Sequence, residues 1–345
     1  MNDIFIVIPT LNPNIKVFEK FLNDLQKKFK NILVVDDGCR DEYSKFFKEI
    51  EDKGIIVIHH YINLGKGRAL KDAYNFLLNN YPNLKGVVTA DSDGQHSISD
   101  VYNCAQFILS NSQSLVLGCR DFDKLNVPPR NRLGNKVTSG LFKTFLGISI
   151  SDTQTGLRGL PKDVMIKFLD TPGERFEYET KQIIETIDKK ISIKEIPIKT
   201  IYGDAVKESH YKPLKDSFKI FMLFKNCILN NILIYIIELM LFSLSLNLFK
   251  NYTYSIILST LISHSLIIIF NYVVNIFVCK KNKMLYIENS IINIIKMVIS
   301  GFFVNYLFYV LKKNIFVIKI FVDLIIFIIN FIIQSEVLLK NEKEK

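Results

Sequence analysis

The 345-residue chain contains no tryptophan, and its five cysteines (Cys39, Cys104, Cys119, Cys227 and Cys279) include no close pair. That scatter excludes a disulfide framework and any zinc-ligand spacing, and a reduced compartment is expected for the soluble part. There is no low-complexity tract and no internal repeat. The first residues, MNDIFIVIPTLNP, lack a basic start and a long apolar run, so they read as a strand and not as a signal peptide. Charge is scarce in one region only. Residues 226–345 carry 11 Lys/Arg and 6 Asp/Glu, against 33 and 28 in residues 1–225, so the net +10 divides as +5 and +5. The depleted third is dense in Ile, Leu and Phe, which excludes an all-soluble protein. With 49% apolar residues overall, the chain reads as a soluble domain followed by a membrane domain.

What is present in the soluble part alternates. Apolar runs at Ile4–Ile8, Ile32–Val35, Ile55–His59 and Gly86–Ala90 are separated by amphipathic stretches near Ile15–Lys30, Tyr43–Lys53 and Arg68–Asn80. This order predicts an α/β fold, a mostly parallel sheet with helices on both faces. Ligands of such sheets sit beyond the carboxyl ends of the strands, where Pro9–Asn12, Asp36–Gly38 and Asp91–Gln95 all fall. Asp91 and Asp93, two apart at a strand end, can turn toward one hard cation, with Gln95 as a further oxygen. The competing reading is an acidic turn in which Ser92, Asp93 or Ser97 caps the next helix. Asp36 and Asp37 are likewise either ligands or ordinary Asp-Gly turn chemistry.

The order of motifs is specific. Ile8-Pro9-Thr10, Val34-Val35-Asp36-Asp37-Gly38, Asn63-Leu64-Gly65-Lys66-Gly67 and Asp91-Ser92-Asp93-Gly94-Gln95-His96 together resemble family 2 glycosyltransferases of the GT-A fold. Downstream, Gly118-Cys119-Arg120, Asp152-Thr153-Gln154-Thr155-Gly156 and Arg175-Phe176-Glu177-Tyr178-Glu179 resemble the polyprenyl- or dolichyl-phosphate sugar synthase type. The resemblance covers residues 1 to about 222.

It implies an inverting, metal-dependent enzyme. One sugar, mannose or glucose, would move from GDP-mannose or UDP-glucose to polyprenyl phosphate at the cytoplasmic face of the cell membrane, with no nucleic acid among the partners. Asp91, Asp93 and Gln95 would carry Mg²⁺ or Mn²⁺. The donor would meet Pro9, Leu11, Asp36, Asp37, Lys66, Asp91 and Ser92, with Asp37 on the base or ribose. Gly65-Lys66-Gly67 either lets the backbone approach the nucleotide or forms the turn before the next helix. Arg120, together with Arg130 or Arg132 in a Pro-containing loop, would contact donor or lipid phosphate, because forked guanidiniums suit phosphate oxygens. Gln154 and Thr155 would line the acceptor side. Asp93, Arg120, Glu177 and Glu179 form the expected catalytic set. A phosphate acceptor is already ionised near neutral pH, so the two glutamates position more than they deprotonate. The family's first strand continues with an aromatic, Asn and an acid; Leu11-Asn12-Pro13 departs from that and leaves donor identity open.

The expected organisation is a catalytic domain over residues 1–206, an amphipathic juxtamembrane segment over 207–225, and a membrane domain over 226–340 with spans near 226–249, 254–278, 286–311 and 315–339. Glu238, Lys296 and Asp323 fall inside those spans. Four spans put both termini on one side, together with Lys280, Lys281 and Lys283, a bias toward the cytoplasm. Asn271-Tyr272-Val273-Val274-Asn275 and Asn330-Phe331 resemble the GtrA-like four-helix domain, which either anchors or handles lipid; a homo-oligomer through it stays an option. A processive polysaccharide synthase is disfavoured, since the Gln-x-x-Arg-Trp element of such enzymes needs the absent Trp. A non-catalytic lipid-linked sugar translocase, or a transferase acting on another membrane glycan, remain the alternatives.

Overall fold

The computed structural model describes residues 2–121, 129–199, 222, 225–273 and 283–341. The described chain divides into two compact units. One comprises Met1–Ser139 with Ser149–Leu223; the other comprises Gly140–Ile148 with Phe224–Lys345.

The first unit is built on strands β1 (Ile4–Thr10), β2 (Ile32–Asp37), β3 (Ile56–His60), β4 (Gly86–Thr89), β5 (Ser114–Arg120), β6 (Arg158–Pro161) and β7 (Ser192–Ile198), in the order β3-β2-β1-β4-β6-β5-β7. All neighbours pair in parallel except around β6, which runs antiparallel to β4 and β5. The sheet is therefore mostly parallel, as expected, and mixed only through β6. β1 is buried along its whole length, as a continuous apolar run in a central strand must be.

The helices are α1 (Ile15–Gln26), α2 (Ser44–Asp52), α3 (Lys66–Asn80), α4 (Ile98–Ser110), α5 (Pro129–Leu141), α6 (Lys162–Lys167) and α7 (Glu177–Asp188). Asn14 caps α1, accepting from the Val17 amide at 3.3 Å, and Phe18, Phe21, Leu22 and Leu25 recur at helical spacing on its buried face. Burying each such side chain contributes about 1.5–3 kcal/mol. Ile4, Ile6 and Ile8 of β1 share one core with those residues, with Phe46, Phe47 and Ile50 of α2 and with Val101, Cys104 and Ala105 of α4. Phe5 points the other way, its ring centroid 4.5 Å from that of Tyr81 just beyond α3. Helices thus cover both faces.

One local expectation fails. The Arg130–Arg132 stretch is not a loop but the first turn of α5, because Pro129 stands at the start, where its fixed φ suits a helix and its missing N–H costs nothing.

Besides the short helical turn Phe142–Leu146, the described residues of the second unit form four long helices: α8 (Lys225–Leu248), α9 (Ser255–Val273), α10 (Lys283–Leu311) and α11 (Ile315–Asn341). Among the described residues only Asn293–Leu311, within α10, is long and apolar enough to cross a membrane; Ile232–Leu248 and Ser255–Phe270 are shorter apolar stretches. The expected juxtamembrane segment and the 274–278 end of the second expected span lie outside the described residues, save Met222 and Lys225.

Candidate functional site

Parallel pairing brings the polar strand ends together. Thr10 pairs with Asp36, Asp36 with His59, and Asp37 with His60. Both aspartates are buried and engaged. Asp36 accepts from the Cys39 amide at 2.8 Å and shares a 2.9 Å hydrogen bond with His59. Asp37 accepts from the Leu64 and Gly65 amides at 2.9 and 2.8 Å and lies 2.9 Å from His60 Nδ1. Asp37 therefore clamps the loop running into α3. Asn12, at φ 45°, ties the end of β1 to the same region, since its amide donates to Cys39 Sγ at 3.1 Å and its side chain accepts from the Arg40 amide at 3.0 Å. Pro9 is buried in β1 and Leu11 is half-buried beside it.

Beyond β4, the acidic turn leads into α4, and of the three candidate caps it is Ser97 that is used. Ser97 is the cap of α4, accepting from the Asp100 amide at 3.1 Å, so neither Asp91 nor Asp93 is spent on the helix. Asp93 closes a tight turn through Gly94 (φ 72°), accepting from the Gln95 amide at 3.0 Å and from the Gln95 side chain at 2.8 Å. Ser92 is half-buried between the two acids. The Asp91 carboxylate presses on Gly156, where a Cβ would collide with Oδ2.

Asp91 is also where distant elements converge. Lys66, in the first turn of α3, donates to Asp91 Oδ1 at 2.8 Å and lies 2.9 Å from Glu179 Oε2 on α7. Burial works against the Lys66 charge, but Asp91 and Glu179 together hold its ammonium above the ordinary lysine value. Burial likewise opposes the Asp91 carboxylate, and Lys66 and then His96 outweigh it and hold Asp91 well below the carboxylate range. Asp93 moves the other way, raised by burial and by the neighbouring Asp91 charge. His96, buried 3.5 Å from Asp91 Oδ2, has no hydrogen-bond partner on either ring nitrogen among the described residues.

Arg120, at the end of β5, makes a fork. Its Nε donates to Asp152 Oδ2 at 2.6 Å and its Nη2 to Oδ1 at 3.0 Å, and Asp152 is fully buried. Gln154 is exposed, with its amide donating to Asp152 at 3.1 Å, whereas the Thr155 hydroxyl is committed to the Gly118 carbonyl at 2.6 Å. Arg132 is exposed on α5, and the Arg130 side chain lies outside the described residues. Glu177 and Glu179 lie in the first turn of α7; Oε2 of Glu177 is buried without a hydrogen-bond partner among the described residues.

Three contributors are not singled out by sequence reasoning. Arg158 is buried at the start of β6, donating to the Thr155 carbonyl at 3.0 Å and to the Glu179 carbonyl at 2.6 Å, with its Nε 3.7 Å from Glu179 Oε1. An arginine inside the apolar run Leu157–Leu160 is the available signal. His59 and His60 are the others, legible only once β2 and β3 are in register.

A divalent cation fits the donor set at the turn. Asp91 and Asp93 supply hard oxygens, Gln95 an amide oxygen, and crowding of the two carboxylates is relieved by positive charge. Among the described residues no three His, Cys, Asp or Glu side chains are grouped so as to hold a metal ion.

The sequence profile of Glycosyl transferase family 2 matches residues 5–169. An uncharacterised protein of Methanocaldococcus jannaschii is 35% identical over 210 residues, which is 59% of this chain and 83% of that protein. A UDP-N-acetylglucosamine–dolichyl-phosphate N-acetylglucosaminyltransferase of Methanococcus voltae is 33% identical over 227 residues, 58% of this chain and 86% of its own. The glucosyl-3-phosphoglycerate synthase of Mycobacterium tuberculosis, solved with Mn²⁺, UDP and phosphoglyceric acid, superposes with a TM-score of 0.49 at 18% identity, covering 66% of this chain and 78% of that one. These matches define the class of protein as a glycosyltransferase, with the matched domain lying on the mixed sheet. The chain belongs to glycosyl transferase family 2.

Proposed function

We propose that the protein transfers one sugar from a nucleotide diphosphate sugar to polyprenyl phosphate, with inversion, at the cytoplasmic face of the cell membrane. The observation that carries this is the 33% identity, over 86% of its length, with a relative named for transfer of N-acetylglucosamine to dolichyl phosphate. That name moves the favoured donor from GDP-mannose or UDP-glucose to UDP-N-acetylglucosamine.

In this mechanism an oxygen of the acceptor phosphate attacks the anomeric carbon as the bond to the donor diphosphate breaks on the opposite face. A divalent cation, Mg²⁺ or Mn²⁺, held by Asp91, Asp93 and Gln95, would neutralise the charge growing on the leaving diphosphate. Lys66, buttressed by Glu179, fixes Asp91 in its ionised form. Pro9, Leu11, Ser92 and the loop clamped by Asp37 border the nucleotide, with Asp36 and Asp37 shaping that edge. Arg120 is oriented by Asp152, and with Arg130, Arg132 and Gln154 faces the phosphates, while Thr155 acts as a positioning residue through Gly118. No strong base is needed, because the acceptor phosphate is already ionised at neutral pH. Glu177 and Glu179 hold geometry.

The same proposal assigns residues 1–206 to catalysis, 207–225 to the membrane interface and 226–340 to a GtrA-like multi-pass membrane domain. Its support is the four apolar helices, which leave large side chains such as Phe302, Tyr306 and Phe321 exposed.

The test incubates membranes containing the protein with polyprenyl phosphate and labelled UDP-N-acetylglucosamine, UDP-glucose or GDP-mannose. Label entering the lipid fraction in the presence of Mg²⁺ or Mn²⁺, abolished by chelator and by Asp93→Asn in a folded protein, is the expected result. No lipid label from any donor would overturn the reading.

A further inference from the structure

The four-helix unit buries ionisable groups that sugar transfer does not use. Glu238 and Tyr235 come from α8, His264 from α9, Ser300 from α10, and Lys319 and Asp323 from α11, and they meet in one network. Lys319 is fully buried; its ammonium lies 3.2 Å from Glu238 Oε1 and 2.9 Å from Asp323 Oδ2. Two carboxylates thus share one ammonium. If both are ionised and His264 is neutral, this network carries, among the described residues, an uncompensated negative charge, which a low-dielectric environment strongly disfavours. Lys296 of α10 does not supply the missing charge, because its ammonium is directed to Asn293 Oδ1 at 3.4 Å.

The network also indicates where a compensating proton goes. Asp323 is fully served as a carboxylate, accepting from Ser300 at 2.6 Å, Lys319 at 2.9 Å and Tyr235 at 3.1 Å. Glu238 is not. Its Oε1 faces His264 Nδ1 at 3.1 Å, yet among the described residues both atoms are buried without an aligned hydrogen-bond partner. A carboxylate oxygen and an imidazole nitrogen at that separation bond only through a proton; the neutral Nδ1–H tautomer supplies one without changing the charge, so it is the excess of negative charge that calls for an additional proton on this pair. The excess of negative groups argues against a phosphate or another anion as the ligand.

We propose that the C-terminal unit contains a proton-binding site, in which one exchangeable proton is held between Glu238 and His264. Losing that proton uncovers a buried negative charge among four helices, so proton occupancy biases how those helices pack. The site belongs to the helical unit alone and does not depend on the transferase reading.

The experiment uses the full chain in lipid nanodiscs with nitrogen-15-labelled histidine, of which there are five. The His264 resonance is assigned by its loss in His264→Gln, and infrared spectra report any protonated buried carboxyl. At neutral pH, either a doubly protonated His264 ring or a protonated-carboxyl band that disappears in Glu238→Gln is expected. If the proton rests on His264, Glu238→Gln should lower its titration midpoint by about one pH unit or more, since the anionic partner is gone. Helical circular dichroism and the thermal midpoint check folding. Should Glu238→Gln fail to fold, the infrared band of Glu238 in His264→Gln gives the same answer. A neutral His264 with no protonated carboxyl at neutral pH overturns the proposal, as does an unchanged His264 titration in a folded Glu238→Gln protein. Signals that respond at fixed pH to added Na⁺ or inorganic phosphate, and not to protons, overturn it as well.

Discussion

Arg120 directs two of its guanidinium nitrogens to the fully buried Asp152. A lysine there keeps the charge but cannot make both bonds, leaving a buried carboxylate short of a donor. Arg120→Lys should therefore lower stability by about 1.5–3 kcal/mol, besides any effect on phosphate affinity. An unchanged thermal midpoint would show that the fork is idle. Lys66 offers a second residue-scale test. Because Lys66 and His96 hold Asp91 below the usual carboxylate range, the favourable contribution is complete above the unfolded aspartate value and is lost as pH falls through the folded one. Lys66→Met, measured in chelator, should cost about 1–3 kcal/mol at neutral pH. The gap to the wild type should narrow once pH drops below about 4, the unfolded aspartate value. A gap independent of pH would show that the loss does not run through Asp91. Asp91 and Asp93 are legible as candidates from their spacing at a strand end. Their differing surroundings are not, because Lys66 and Glu179 come from two helices far apart in the chain.

At the scale of elements, β2 and β3 end in matched polar pairs, and the chain leaving β2 must turn sharply. Gly38 has φ 72°, and a Cβ there would strike the backbone of Ile62. Gly38→Ala should destabilise the fold by more than about 1 kcal/mol and displace the loop that Asp37 clamps. Paired measurements of the unfolding midpoint and nucleotide-sugar affinity check this, and retention of both would separate the loop from the donor site. Apolar periodicity makes the four parallel strands β1 to β4 and their helices readable nearly in place. The start of α5 reads as a loop instead, since a proline near two arginines looks like punctuation until it is seen at a helix start. β6 escapes the same reading because its short run, Arg158–Pro161, contains a buried arginine that the Glu179 carboxylate, the Thr155 and Glu179 carbonyls and the Gln182 side chain make tolerable.

For the whole molecule, the expected consequence of ending the chain after Phe218 is selective loss. The proposed donor ligands lie within residues 1–180, so binding of nucleotide sugar and metal should persist. Transfer to long-chain polyprenyl phosphate in bilayers should fall far more than transfer to a short, soluble prenyl phosphate, because colocalisation in the membrane raises effective concentration. Gly140–Ile148 groups with the C-terminal helices, so this truncation also strips that segment of its packing partners. Greater protease sensitivity there is expected. Undiminished activity on the long-chain acceptor would mean that the helices serve neither capture nor docking of lipid.

The sequence by itself determined the alternation of strand and helix, the order of polar clusters at the strand ends and the apolar, charge-poor character of the last third. Each of these is a local pattern, fixed by periodicity and composition. The tertiary structure decided which charges meet. Asp37 became a loop clamp and Arg120 a partner of Asp152 because strand register and loop closure brought those donors and acceptors within hydrogen-bonding distance. In the C-terminal unit, Glu238, His264, Lys319 and Asp323 lie on three different helices, and beyond the i,i+4 pair Lys319–Asp323 nothing in their spacing along the chain announces a shared network. Burial then gives that network its consequence, because away from water each charge must be balanced by its neighbours.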